Sequence, residues 1–199
     1  KMENVRIQSS QFVQPYQFDQ ISAEFKNFNT PKKILKEVKI KRNKSHLNGD
    51  FVLQNQKLMG EIHSSYFDVK DFPISVKDFS AFLSKSTDMK TQLKIEVEVL
   101  QTASLLLKNF KITSKADKGK IILSPLSLEL AEGLLQGSVI INNASTQMHI
   151  HAKDVILEKL LNQTIGNKGL VGGKTQMTLF ATGEGTTLDQ ILKTLTGRA

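Results

Sequence analysis

Leu93-Lys94-Ile95-Glu96-Val97-Glu98-Val99 alternates without a break. Leucine, isoleucine and valine fall on one side of an extended chain, and lysine and glutamate fall on the other. A period of two over this length predicts a strand with one dry face and one wet face. Leu105, Leu107, Phe110 and Ile112 continue the theme, and Asp117-Lys118-Gly119-Lys120 predicts a hairpin turn. Ile121, Leu123, Leu126, Leu128 and Leu130 follow, with Pro125 best placed at an edge or bulge. Glu132-Gly133 predicts the next turn, Leu135 to Ile141 a returning strand, and Met148-His149-Ile150-His151 another.

Working outward, Ile34–Phe72 can be laid on Ile122–Leu160 at a constant offset of 88. Leu35/Leu123, Leu47/Leu135, Gly49/Gly137, Ile62/Ile150 and His63/His151 are identical pairs. Val38/Leu126, Ile40/Leu128, Phe51/Val139 and Val69/Leu157 keep apolar character. Only 7 of 39 positions are identical, so the apolar pattern carries the repeat. The predicted unit is strand, Gly turn, strand, strand, short helix. Repeated units of this kind stack on one another and share an apolar face. The chain divides accordingly into a first β unit with a connector helix (1–90) and a second β unit (91–199).

Helices are expected at the ends of these units. Asp68–Phe72 predicts a helical turn closed by Pro73. Asp78 caps a connector helix carrying Phe79, Phe82 and Leu83. Asp154 caps a helix with Val155, Ile156, Leu157, Leu160 and Leu161. Thr187 and Gln190 form a capping box before Leu188, Ile191, Leu192 and Leu195.

Composition narrows the class. Hydrophobic residues make up 39% of the 199, so either part of the sequence is wet on both sides or one face is wet. There is no Cys, which excludes disulfides and thiolate zinc sites. No apolar run reaches about 18 residues, and the N-terminus lacks a signal pattern. The chain opens on Lys1 instead of Met, so an excised fragment is expected, one from which an anchor could have been removed. Lys+Arg outnumber Asp+Glu by 27 to 19, which favours anionic partners. In the densest basic run, Lys39 and Lys41 share one strand face and Val38 and Ile40 the other. With Arg42, these lysines form either a solvated face that discourages edge pairing or a contact for headgroups or other polyanions.

Catalytic and metal motifs are not found. His149 and His151 share a strand face but lack a third ligand, and Asp154 is spent as a cap. Gly173-Lys174-Thr175 fails the phosphate-loop pattern, because the required upstream glycine position holds Lys168. Gly183-Glu184-Gly185 is too short for a dinucleotide fingerprint. Glu96 and Glu98 lie among lysines on an exposed face, where nothing separates their pKa values. Two Tyr and no Trp leave little to stack on bases. No enzyme activity, metal, cofactor or nucleic-acid partner is expected.

The C-terminal part carries a resemblance. Leu134-Leu135-Gln136-Gly137, Ile150 to Leu161, Gly172-Gly173, Met177-Thr178-Leu179, Thr182-Gly183-Glu184-Gly185-Thr186 and Leu195-Thr196-Gly197 follow in order. Together they resemble the C-terminal region of the AsmA family, well over about 120–199 and loosely over 34–72. That family is similar in build to bridge-like lipid transfer proteins. The resemblance implies a Gram-negative envelope protein with a periplasmic β-rich body and an N-terminal inner-membrane helix. The implied role is moving phospholipid, or another acyl lipid, towards the outer membrane through an apolar groove, or supporting outer-membrane assembly with envelope protein partners. The anchor helix and the strands that normally follow the L-x-G element are not in this chain.

The expected fold is mainly β (α+β): a curved, twisted antiparallel sheet forming a groove, with short end-capping helices. The groove-lining residues expected are Leu93, Ile95, Val97, Val99, Leu105, Leu107, Leu126, Leu128, Leu130, Val139, Ile141, Met148 and Ile150. Lys39, Lys41 and Arg42 are the expected headgroup contacts. The alternatives are a non-transporting scaffold domain of the envelope and a basic polyanion-binding module.

Overall fold

A computed structural model describes residues 1–7, 16–27, 29–72, 89–142, 145–165, 173–184, 193–194 and 196–198. The strands are β1 (Met2–Ile7), β2 (Tyr16–Lys26), β3 (Lys32–Arg42), β4 (Ser45–Gln54), β5 (Lys57–Ser64), β6 (Phe67–Asp68) and β7 (Lys90–Gln101). Then come β8 (Leu106–Asp117), β9 (Lys120–Leu130), β10 (Gly133–Asn142), β11 (Ser145–Ile156), β12 (Lys174–Glu184) and β13 (Thr196–Arg198). One helix, α1 (Leu157–Ile165), follows β11. All 13 strands belong to one open sheet, ordered as in the chain, with β6 set beside β7. The predicted mainly β architecture is observed, and the sheet runs through residue 90 without interruption.

Neighbours pair antiparallel except at β7. β7 runs parallel to β5, through eight pairs from Lys57↔Lys90 to Ser64↔Val97, and parallel to β6. The sheet is therefore mixed. A parallel pair needs a long crossover, and the 25 residues between Ser64 and Lys90 are enough for one. The predicted connector helix at Asp78–Leu83 lies outside the described residues, as do Thr187–Ile191 of the predicted last helix.

The repeat reappears as geometry. β3 and β4 span residues 32–42 and 45–54, and adding 88 gives the bounds of β9 and β10. Leu35↔Phe51, Val38↔Gly49 and Ile40↔Leu47 become Leu123↔Val139, Leu126↔Gly137 and Leu128↔Leu135. Asn48↔His63 and Gly49↔Ile62 become Gln136↔His151 and Gly137↔Ile150. Both units carry a bulge at the same place, between Leu35 and Val38 and between Leu123 and Leu126. Pro125 sits in that second bulge, where the ladder asks for no donor.

Gly49 and Gly137 do not make turns. They sit inside β4 and β10, and the turns are Asn43-Lys44 and Ala131-Glu132. The reason for glycine is space. A Cβ at Gly49 would stand 2.7 Å from the Glu61 carbonyl, and one at Gly137 would run into the His149 carbonyl. The predicted β8–β9 hairpin is observed, turning at Lys118-Gly119. Both residues adopt positive φ (47° and 76°), as a two-residue hairpin requires.

The helix starts later than predicted. Asp154 remains in β11, at a bulge with φ 57°, because Val155 and Ile156 still pair with Thr175 and Lys174. Ile156 N donates to the Ala131 carbonyl and Leu157 N to that of Gly173, which leaves Asp154 nothing to cap. Val155 is buried instead with Ala131 and Ala152, and Leu160 of α1 packs on this cluster beside Leu130 and Leu135. In the first unit Asp68–Phe72 forms β6's end and a turn, not a helix.

Candidate functional site

Direct strand pairing carries side chains of one kind across the sheet. One row runs Phe25–Leu35–Phe51–Gly60–Leu93–Ser114–Leu123–Val139–Met148–Ala181–Gly197, across eleven strands. The next runs Val38–Gly49–Ile62–Ile95–Ile112–Leu126–Gly137–Ile150–Leu179, across nine. Neither contains a charge. At 4.7–4.9 Å between strands the first row is about 48 Å long.

The opposite face is the reverse. Ser22–Lys39–Asn48–His63–Glu96–Lys111–Ser127–Gln136–His151–Thr178 runs across ten strands without one aliphatic side chain. Along these rows the sheet separates apolar from polar side chains, while another row of the second face, Ile34–Val52–Met59–Gln92–Lys115–Ile122–Ile140–Gln147, is partly aliphatic.

Most of the predicted lining residues stand on the apolar face. Leu93, Ile95, Val97 and Val99 alternate onto it from β7, and Leu126, Leu128 and Leu130 from β9. Val139 and Ile141 reach it from β10, and Met148 and Ile150 from β11. Of these eleven, only Val97 (5% exposed) and Leu128 (8%) are buried; the rest are half-buried. Two of the thirteen lie elsewhere. Leu107 pairs with Leu100 on the other face. Leu105 is in the β7–β8 loop, where its carbonyl accepts from Thr102 N at 2.9 Å. A shift of parity at the loop separates them from the β7 pattern. Leu35, Phe51, Ile62, Ile112, Leu123 and Leu179 belong to the same rows although they were not among the expected residues. The 88-residue offset identifies two of them, since Phe51 is the repeat partner of Val139 and Ile62 that of Ile150, while Leu35 and Leu123 are partners of each other.

Lys39 and Lys41 lie exposed on the polar face, paired with Asn48 and His46. Arg42 parts from them: it pairs with Ser45 and holds its guanidinium 6.0 Å from the Phe72 ring centroid. Phe72 in turn stacks on Phe67 at 5.0 Å.

Some charges on the polar face are matched. Lys94 Nζ meets Glu96 at 2.9 Å, and His63 Nδ1 stands 3.5 Å from the same carboxylate. The hydrogen bond from Lys94 lowers the Glu96 pKa and raises that of Lys94. At the end of the first unit, Ser45, fully buried, donates to Asp71 at 2.5 Å and accepts from Asp68 N at 2.9 Å. Asn43 Nδ2 also donates to Asp71, at 2.7 Å. Burial pushes the Asp71 pKa up, but the donors Ser45 and Asn43 and the charge of Arg42 together bring it below the ordinary value.

His149 stacks on Phe180 at 4.3 Å, and His151 Nδ1 lies 3.0 Å from Thr178 Oγ1. Among the described residues, no three His, Asp or Glu side chains stand together as metal ligands. No helix among them is long and apolar enough to cross a membrane.

No curated protein and no solved structure matches the chain. The AsmA family model matches residues 62–199, from β5 through β13, more than two thirds of the chain. An open sheet with two long uncharged rows on one face, built of a repeated strand unit, is thus the form that this sequence gives to a member of the AsmA family, to which the chain belongs.

Proposed function

We propose that the apolar face shields or conducts phospholipid tails between the inner and outer membranes, in the periplasm of a Gram-negative envelope, and so supports outer-membrane assembly. The role is non-enzymatic. The observation that carries it is the pair of uncharged rows, whose side chains are mostly half-buried rather than enclosed. An apolar sheet face needs cover, and burying each tail methylene contributes about 0.8 kcal/mol. A few methylenes outweigh a typical hydrogen bond of roughly 0.5–1.5 kcal/mol, so tails rather than headgroups govern affinity. Lys39 and Lys41 meet headgroups from the polar side; in this reading Arg42, held against Phe72, contributes at the strand end.

The test is native mass spectrometry of the purified chain together with binding of a labelled phospholipid. Co-purified phospholipid is expected, and Leu123→Lys and Met148→Lys should each lower labelled-lipid binding at least tenfold. Both positions are half-buried, so the new ammonium stays hydrated in the fold. A folded, lipid-free chain that ignores labelled phospholipid refutes the reading and favours a scaffold whose face another protein covers.

A further inference from the structure

The parallel pairing of β5 with β7 has a chemical result at one end of the sheet. It brings Lys57 and Lys90, the first residues of both strands, side by side. The β8–β9 hairpin ends at the same place and adds Lys115, Lys118 and Lys120. These five lysines line one cavity of about 460 Å³ on the polar face, with Gln92 and Asp117. Lys90 is paired with Asp117 at 2.9 Å. Lys57, Lys115, Lys118 and Lys120 have no carboxylate within ion-pair distance among the described residues.

Elsewhere on the polar face Lys94 is matched by Glu96 and Lys26 by Glu24, and Lys39 and Lys41 stand without carboxylate partners among the described residues but along an open strand. Five ammonium groups around one concavity repel one another, and one aspartate answers only one of them. A bound group of at least two negative charges would neutralise the rest, and the rotatable ammonium donors suit phosphate oxygens. We propose that this cavity is an anion site for a phosphate-bearing group, either a lipid headgroup or a free phosphorylated molecule. It lies on the polar face and does not depend on lipid covering the apolar one.

The experiment compares the intact chain with Lys57→Glu/Lys120→Glu and with Lys39→Glu/Lys41→Glu, which makes the same charge change elsewhere on the polar face. Circular dichroism checks the fold of each. Calorimetry with inorganic pyrophosphate probes a free ligand; co-sedimentation with phosphatidylcholine vesicles, with and without phosphatidic acid, probes a headgroup. Binding in at least one arm is expected to fall tenfold or more in the cavity variant and under threefold in the other, and to weaken as salt rises. Pyrophosphate binding identifies a free ligand, and vesicle binding without it identifies a headgroup. Equal losses in both variants, or no binding in either arm by the intact chain, overturn the proposal. Failure here leaves the labelled-lipid result for Leu123→Lys untouched, so the two readings fall separately.

Discussion

The two repeat units share strand bounds, registers and bulges, yet they leave the sheet differently. After β5 the chain passes through β6 and a turn, and re-enters as β7, parallel to β5. After β11 it forms α1 and returns as β12, antiparallel. The pairs at the exits also differ in sign. In the first unit the carboxylate of Asp71 reaches back to Asn43 and Ser45; in the second, at the equivalent position, the ammonium of Lys159 reaches back to Glu132. Each exit is thus tied back to the turn between the unit's first two strands, by neutral donors in one case and by an ion pair in the other. Alternation and close backbone approach hold the strands in common; the exits follow local chemistry.

Substitutions at matched positions sharpen this comparison. The largest effect is expected from Gly137→Ala, about 3 kcal/mol or more, since the added methyl meets the His149 carbonyl in a central strand. Its repeat partner Gly49→Ala should cost less, about 2 kcal/mol, because the corresponding approach is 2.7 Å. Urea unfolding midpoints measure both. A reversed order would mean that the two units do not share one packing constraint.

Next comes Asp71→Asn, expected to cost about 1–3 kcal/mol, because Ser45 and Asn43 lose a charged acceptor in a buried setting. The folded pKa of Asp71 lies below its ordinary 3.8. Its contribution is therefore present above that value and is lost as pH falls through the lower folded one. Stability of the intact chain should decline across that acid window, and Asp71→Asn should flatten the decline. Denaturant midpoints from pH 6 down to pH 2 show either outcome.

The smallest effect belongs to Lys159→Gln. Both partners of its pair are about half exposed or more, so solvent screens the attraction and no change beyond measurement error is expected at physiological salt. A loss comparable to that of Asp71→Asn would show that the second exit is also held by polar contacts rather than by Leu160.

The alternation of Leu93–Val99 and the 88-residue offset made the strands and the apolar face readable before any coordinates. They did so because side-chain parity and burial are local properties. The parallel seam was not readable, since nothing in 57–64 or 90–101 tells a strand which direction its neighbour runs. Gly49 and Gly137 were visible as a pair, but a turn and a close strand approach both select glycine, and only the register separates them. Asp154 had the right residue type for a cap, but its neighbours' pairing with β12 prevailed. The lysine cavity was hidden for a further reason: its members come from three separate segments that meet only through the seam.

The unit that recurs is also a ruler. From β3 to its counterpart β9 the sheet advances five strand spacings, about 24 Å. Duplicating one such module would extend the ribbon by that increment while preserving every existing register, so the reach of proteins built this way can evolve in fixed steps.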